Sequence, residues 1–138
     1  MAHSSPVIWG DSTGVARVMA ASNQGRVFCL DGSGHVIWER PTRGAVSSAI
    51  SVGDLDADGR ADIFAVTHLG GLYRFDECGR CVWEFDTQGG SLASGANADL
   101  DGDGVLEYAL CTQRGHLLVF DTSGEIVYRH RFDNRTFN

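Results

Sequence analysis

The chain of 138 residues has only two prolines, no concentration of basic residues and no long uninterrupted apolar run. A transmembrane helix needs an apolar run of about 18 residues or more, so we expect no membrane span. With no basic patch and a formal net charge of −7, nucleic acid is not expected as a partner. Residues 1–6 lack an apolar core, so we expect no signal peptide there. The scarcity of proline beside eighteen glycines favours an all-β chain with many tight turns.

An internal repeat of 45 residues accounts for nearly the whole chain, and no insertion breaks its register. The spacing relates three sets of glycines, one of aspartates and one of aromatic residues: Gly14, Gly59 and Gly104; Gly25, Gly70 and Gly115; Gly34, Gly79 and Gly124; Asp31, Asp76 and Asp121; Trp38, Trp83 and Tyr128. We therefore assign one domain, residues 1–138, with repeats at about 1–44, 45–89 and 90–138.

Each repeat is predicted to contain four short strands, which in the middle copy are residues 46–52, 62–67, 71–76 and 81–85. Turns rich in Gly and Asp separate these strands, as hairpins require. Strand centres such as 27–30 and 117–120 are continuously apolar, which indicates cover on both faces. A repeated four-stranded unit of this length is typical of a β-propeller blade, so three such blades are expected.

Two acidic loops follow the first strands of the second and third repeats. The second repeat carries carboxylates at alternate positions around Gly59, and the third repeat has the same pattern: Asp54, Asp56, Asp58 and Asp62; Asp99, Asp101, Asp103 and Glu107. Carboxylates that turn toward one point repel one another unless a cation lies among them, and hard oxygen ligands favour calcium. A solvated acidic turn without metal is the alternative interpretation.

The loops begin like an EF-hand, but two features exclude that motif. The twelfth loop position, which should carry a bidentate acid, is Ala65 in one copy and Leu110 in the other. The flanking segments also have the apolar, β-branched composition of strands and no helical periodicity.

The acidic loop before the second strand resembles the loop of FG-GAP and VCBS-type propellers, as in integrin α heads. The third and fourth strands, with Gly25, Asp31, Gly34 and Trp38 in the first copy, resemble the PQQ-type propeller repeat of quinoprotein relatives. The FG-GAP resemblance implies that loop carboxylates and one backbone carbonyl bind calcium. The implied ligands are Asp54, Asp56, Asp58, Asp62 and the Arg60 carbonyl in the second blade, and Asp99, Asp101, Asp103, Glu107 and the Val105 carbonyl in the third.

The first repeat departs from this pattern. Its matching positions are Trp9, Asp11, Thr13, Gly14 and Arg17, so only Asp11 keeps a negative charge. Arg17 stands where the closing acid is expected, and we interpret it as an internal replacement for the cation that pairs with Asp11. An unpaired surface arginine is the alternative.

Three blades do not close a ring, because closed propellers have about four to eight blades. The outer faces of the first and third blades are apolar and would lie open, which predicts a partner surface. We expect two chains to form a homodimeric six-bladed ring, with residues 131–138 reaching toward the partner chain. A longer parent chain that supplies the missing blades is the alternative.

The four cysteines show no pattern that defines a site. Cys78 and Cys81 form a CxxC across a hairpin turn, where two reduced thiols are favoured over a turn-bridging disulfide or a zinc site. Cys29 and Cys111 occupy strand positions that are expected to be in the core.

The repeated aromatic residues Trp38, Trp83 and Tyr128 are expected to pack between blades, as the PQQ-type resemblance implies, rather than to stack on sugars. The histidines lack ligand spacing. The serines on first strands, Ser47, Ser48, Ser91 and Ser94, have no base placed by the sequence to activate them.

The sequence therefore favours a non-enzymatic, calcium-stabilised propeller module for binding or assembly, with a protein or glycan ligand. The alternatives are a carbohydrate-binding, lectin-like propeller and a fragment of a propeller enzyme of the quinoprotein-like or polysaccharide-lyase kind. An enzyme would show a catalytic acid–base pair or a cofactor clamp outside the repeat register, and the sequence shows neither.

Three single substitutions test the loop assignment. Asp56→Ala and Asp101→Ala should each remove one bound calcium ion, because each deletes one carboxylate of a different loop. Asp11→Ala should leave the number of ions unchanged, since its loop carries Arg17 in place of a ligand. Titration calorimetry counts the ions, and loss of an ion in Asp11→Ala would contradict the interpretation of Arg17.

Overall fold

The structure is a computed structural model that describes residues 4–46, 48–91 and 94–132. These residues form twelve strands in three antiparallel sheets of four strands each, and they contain no helix. The prediction of an all-β fold built from three four-stranded units is therefore confirmed. Within the described ranges, no helix is long and apolar enough to cross a membrane.

Each sheet is a simple meander in which every strand pairs with the next one along the chain. The first sheet contains β1 (Val7–Gly10), β2 (Ala16–Ser22), β3 (Arg26–Leu30) and β4 (Val36–Pro41). The second contains β5 (Ser51–Gly53), β6 (Asp62–Val66), β7 (Gly71–Phe75) and β8 (Cys81–Asp86). The third contains β9 (Ala96–Ala98), β10 (Glu107–Cys111), β11 (His116–Phe120) and β12 (Ile126–Arg131).

Every sheet also repeats a shift in the pairing register between its third and fourth strands. The pairing register shifts between Cys29 and Leu30, between Arg74 and Phe75, and between Val119 and Phe120. These positions are 45 residues apart, and a bulge of this kind increases the local twist of a sheet. The three sheets therefore share the position of this register shift as well as one strand order.

An aspartate shapes the turn that follows the third strand in each repeat. The Asp31 carboxylate accepts hydrogen bonds from the amides of Ser33, at 2.8 Å, and His35, at 3.0 Å. Asp76 and Asp121 accept equivalent bonds from the amides two and four residues further on. Such side-chain-to-backbone bonds stabilise turns, which explains why the repeat keeps aspartate at this position.

The central sheet is covered on both faces, as its continuously apolar strands predict. Ile63 and Ala65 of β6 pack toward the first sheet, whereas Phe64 and Val66 pack toward the third. All four side chains are buried, and the Phe64 ring stacks on Tyr108 of the third sheet with centroids 4.1 Å apart. Burial of this kind is the main stabilising term of the fold.

The first strand of the middle repeat is shorter than predicted. The expected strand over 46–52 is β5, Ser51–Gly53, and Val46 forms only an isolated bridge with Thr67. The Ser48 hydroxyl, rather than its backbone, reaches the Val66 carbonyl, with a distance of 3.4 Å between the two oxygens. The regular pairing with β6 thus covers only Ser51–Gly53. Ser47, which was expected in this strand, lies outside the described residues. Residues 133–138, which are part of the segment expected to reach toward a partner chain, also lie outside them.

Candidate metal centres in the blade loops

The acidic loop of the second blade connects β5 to β6, and it brings three of its predicted ligands together. Oxygen atoms of Asp54, Asp56 and Asp58 lie within 4.8 Å of one another. The Asp54 carboxylate accepts hydrogen bonds from the amides of Asp58, at 3.0 Å, and Gly59, at 2.8 Å. Gly59 has a φ of +81°, which a residue with a side chain rarely adopts, so glycine is needed to close the loop.

The same loop holds one residue in an unfavourable conformation. Ala57 has a φ of +59°, where the third blade has Gly102 at +82°. The left-handed region costs an L-residue about 1–2 kcal/mol. The loop shape is therefore imposed by the contacts around Ala57 rather than by its own preference.

The fourth predicted ligand, Asp62, lies apart from this cluster and pairs with Arg74. The Asp62 carboxylate receives a hydrogen bond from Arg74 Nε at 2.9 Å and another from the Leu55 amide at 2.8 Å. Arg74 Nη2 also donates to Asp56 Oδ2 at 2.9 Å. A guanidinium from β7 thus bridges two of the four carboxylates expected to bind the metal.

Arg74 and Asp62 form a buried pair, with side-chain exposures of 5% and 7%. Burial raises the pKa of Asp62 above its usual value, although the hydrogen bonds from Arg74 and from the Leu55 amide act in the opposite direction. Arg74 opposes the effect of burial on this carboxylate both through its hydrogen bond and through its charge, beside the hydrogen bond from the Leu55 amide. The guanidinium is therefore part of the electrostatic balance of the loop.

The loop of the third blade has no such cation. Oxygen atoms of Asp99, Asp101 and Glu107 lie within 4.8 Å of one another, and Glu107 also accepts a hydrogen bond from the Leu100 amide at 2.8 Å. In the described part of the chain, no ion pair involves any acid of this loop. The position that matches Arg74 is Val119. Glu107 thus belongs to the third-blade cluster, whereas Asp62, at the matching position of the second blade, lies outside its own.

Asp103 lies outside the third-blade cluster, and its carboxylate accepts a hydrogen bond from the Val105 amide at 2.8 Å. Asp58 makes the matching contact with the Arg60 amide at 2.8 Å. These bonds fix the turn at the two residues whose carbonyls are predicted to bind calcium.

The first-blade loop shows the predicted internal pair. Arg17 Nη2 lies 2.8 Å from Asp11 Oδ2, so the alternative of an unpaired arginine is wrong. The pKa of Asp11 is lowered, first by the hydrogen bond from the Thr13 hydroxyl and then by the amides of Val15 and Thr13 and the charge of Arg17. A cationic side chain thus supplies positive charge in the loop where the other two blades are acidic.

The sequence reasoning missed Arg74, although a signal was present. The matching positions in the other repeats are Cys29 and Val119, both uncharged. A charge inside an apolar strand needs a partner, and the nearest acidic loop was the candidate.

The cysteines fit the prediction except at one position. Cys29 is buried, but Cys111 is exposed, because the outer face of the third sheet has no neighbouring blade. Cys78 and Cys81 are exposed and unbridged, and burial of part of its side chain raises the pKa of the Cys81 thiol.

Three antiparallel four-stranded sheets, packed face to face with acidic loops at one position of the repeat, define a β-propeller. The chain belongs to the family of lambda-carrageenase β-propeller domains, which matches residues 17–97, more than half of its length. No curated protein matches the chain. The FG-GAP and PQQ-type resemblances agree with this fold, and their calcium ligands remain a prediction.

Solved propeller structures are similar to the chain. BamB from Moraxella catarrhalis has a TM-score of 0.71 and 21% identity, and the match covers 93% of this chain and 34% of that one. BBS1N, solved in complex with ARL6DN, has a TM-score of 0.69 and 13% identity, covering 93% of this chain and 39% of that one. A protein of unknown function from Bacteroides caccae has a TM-score of 0.56 and 10% identity, and the match covers 90% of this chain and 44% of that one. The chain therefore spans less than half of each neighbour, and these identities show the fold alone.

Two arginine variants test whether the Arg74 pair is structural. Arg74→Ala should lower the free energy of unfolding by about 3–5 kcal/mol, because it leaves the buried Asp62 carboxylate without its cationic partner. Arg80→Ala is the matched control: it removes an exposed arginine from a pair with Asp76, at a cost below about 1 kcal/mol. Urea unfolding in the presence of a chelator gives both values. Equal values would contradict a structural role for Arg74.

Proposed function

We propose that this chain is a non-catalytic, calcium-stabilised β-propeller module that completes its ring with a second copy and serves in binding or assembly. One observation carries the calcium proposal. Three carboxylates of the third-blade loop converge without a cationic side chain, whereas the matching loop of the first blade contains the Arg17–Asp11 pair. The matching turn of the first blade thus contains a positive charge, whereas in the described residues no cationic side chain pairs with an acid of the third-blade loop.

The donor set fits calcium rather than a softer metal. The converging atoms are carboxylate oxygens, and calcium takes six to eight oxygen ligands. Asp99, Asp101 and Glu107 would hold the ion in the third blade, with Asp103 and the Val105 carbonyl as the further predicted ligands. Asp54, Asp56 and Asp58 would hold it in the second, with Asp62 and the Arg60 carbonyl as further ligands. The bound ion would neutralise the carboxylates and fix the connection between first and second strands.

The two sites should differ in affinity. In the second blade, Arg74 already donates to Asp56 and Asp62, so calcium competes with a guanidinium for these oxygens. The third-blade loop has no competing guanidinium. We therefore expect the third-blade site to bind calcium more tightly.

A non-catalytic role is supported by how the candidate nucleophiles are used. The Ser48 hydroxyl donates to the Val66 carbonyl, and the Ser91 hydroxyl donates to the Cys111 carbonyl at 2.7 Å. Each hydroxyl therefore ties an inner segment to its sheet instead of facing a base.

A protein ligand is the favoured kind of external partner. BBS1N, whose propeller fold this chain shares, was solved in complex with ARL6DN. The exposed aromatic and aliphatic residues on the outer blades are of the kind found at protein interfaces.

Glycan binding is the second candidate. The matching family is named for a lambda-carrageenase, and a cleft of about 280 Å³ beside the second blade is lined in part by Arg43, Tyr73, Glu84 and Phe85. Tyr73 is 5% exposed, so the half-buried Phe85 ring beside the polar groups of Arg43 and Glu84 would be the apolar surface for a sugar ring. The net charge of −7 disfavours an anionic polysaccharide, so a neutral glycan fits better. A glycan array separates this candidate from protein binding.

Calcium should raise the thermal stability of the chain. An ion that binds only the native state adds about 2.7 kcal/mol at a hundredfold excess over its dissociation constant. The calcium-induced rise in melting temperature should be larger in Asp56→Ala, which keeps the third-blade site, than in Asp101→Ala. Thermal melts with calcium, magnesium and a chelator test this, and magnesium should substitute poorly. Equal melting temperatures of the unmodified chain in calcium and chelator would rule out the calcium assignment.

The proposed ring predicts a dimer in solution. Three blades from each of two chains give six, within the range of closed propellers. Light scattering at micromolar concentration should report twice the mass of 14.9 kDa. A folded monomer would contradict ring closure by a second copy and would favour further blades on a longer chain.

A further inference from the structure

One joint is repeated between neighbouring blades. The Trp38 indole of the first blade donates through Nε1 to the Glu77 carbonyl of the second at 3.0 Å. Trp83 of the second blade donates in the same way to the Thr122 carbonyl of the third at 3.1 Å. Each joint thus consists of an aromatic ring on a fourth strand and a turn on the following blade.

A glycine in the receiving turn makes room for the ring. A Cβ atom at Gly79 would lie 2.6 Å from Cδ2 of Trp38, and one at Gly124 would lie 2.9 Å from Cδ2 of Trp83. Both distances are shorter than real Cβ contacts, so the joint does not accommodate a side chain at these positions.

Among the described residues, the outer blades carry the two halves of this joint without their counterparts. Tyr128, at the position of Trp38 and Trp83, is 53% exposed, whereas Trp38 is 7% exposed. Gly34, at the position of Gly79 and Gly124, would place a Cβ in open space. The carbonyl that matches those of Glu77 and Thr122 belongs to Gly32. The third blade therefore carries the exposed ring of Tyr128. The first blade carries the matching receiving turn, with Gly34 and the Gly32 carbonyl, which we call the slot.

The surroundings of each half show the same contrast. Leu55 is fully buried between the second and third blades, whereas Leu100, at the matching position of the third blade, is 60% exposed. On the opposite end, Ile8 and Val36 of the first blade are 72% and 52% exposed. Exposed apolar side chains thus lie on the same blades as the exposed ring and the slot, whereas Leu55 beside the joint of the second and third blades is buried.

We propose that Tyr128 of one copy occupies the slot at Gly34 of a second copy, with the Gly32 carbonyl as the acceptor for its hydroxyl. This inference rests on the proposed ring closure and assigns the residues of the seam. A second copy is the occupant that fits, because the chain itself carries both complementary halves in the register of its internal joints. Two such seams leave neither outer face open.

The seam differs from the internal joints in one respect. Tyrosine presents a smaller ring than tryptophan, so it covers less apolar surface, although its hydroxyl remains a donor. The contact between copies is therefore weaker than the contact within a copy, and the dimer dissociates on dilution before the blades separate.

Two glycine variants of the full chain test the seam. Gly34→Ala places a methyl group in the slot, where it would meet the partner's ring, and should raise the dimer dissociation constant at least tenfold. Gly14→Ala is the matched control: Gly14 has a φ of +80° against +86° for Gly34, and neither Cβ meets an atom within 4 Å in the single chain. Both variants carry the same backbone strain, so Gly14→Ala should leave the constant within twofold. Sedimentation equilibrium in calcium gives the constants, and circular dichroism verifies folding.

Substitutions of the ring give the second arm. Tyr128→Ser should weaken the dimer at least tenfold, and Tyr128→Trp, which restores the residue of the other two blades, should strengthen it. A dimer whose dissociation constant is the same in Gly34→Ala and Gly14→Ala, and unchanged in both Tyr128 variants, would overturn the seam while leaving dimerisation in place. An unmodified chain that stays monomeric at every concentration would overturn both the seam and ring closure by a second copy.

Discussion

The structure depends on one packing constraint: a sheet whose strands are apolar on both faces must be covered on both faces. The second blade satisfies it, since β6 alternates its side chains between the first and third blades and all of them are buried. The outer blades satisfy it on one side each. The joints, the buried aromatic residues and the exposed end faces all follow from this difference in cover.

Charge compensation in the loops is the second organising feature. The position that closes each loop is Arg17 in the first blade, Asp62 in the second and Glu107 in the third. The first loop contains the ion pair of Arg17 and Asp11. In the second loop, Asp62 pairs with Arg74 of a neighbouring strand. In the third loop, three carboxylates lie together without such a pair. One backbone turn thus supports three electrostatic states, which makes the blades similar in shape and unequal in chemistry.

Much of the fold could be predicted from the sequence, because the 45-residue period and the turn glycines and aspartates act locally. The carboxylate clusters were predictable for the same reason. Arg74 was missed although it is a charge inside an apolar strand, because its contacts with Asp56 and Asp62 join residues distant in sequence and have no counterpart in the other repeats. Cys111 was placed in the core because strand composition does not show whether a neighbouring blade covers that face. The first strand of the middle repeat was overextended because its apolar and β-branched composition does not show where regular pairing with β6 begins, which is at Ser51.

The joint between blades also has a direction, because a ring on one blade meets a glycine turn on the next. A contact between two unlike surfaces does not limit its own growth, and assembly stops only when the last unit meets the first. The number of copies in a closed particle is then set by the angle accumulated from blade to blade. The pairing register shifts at one place in every sheet, and irregularities of this kind change the local twist of a sheet. If copies close a ring as proposed, a change at the register shift would therefore alter the ring size, or give an open filament, without changing a residue of the joint.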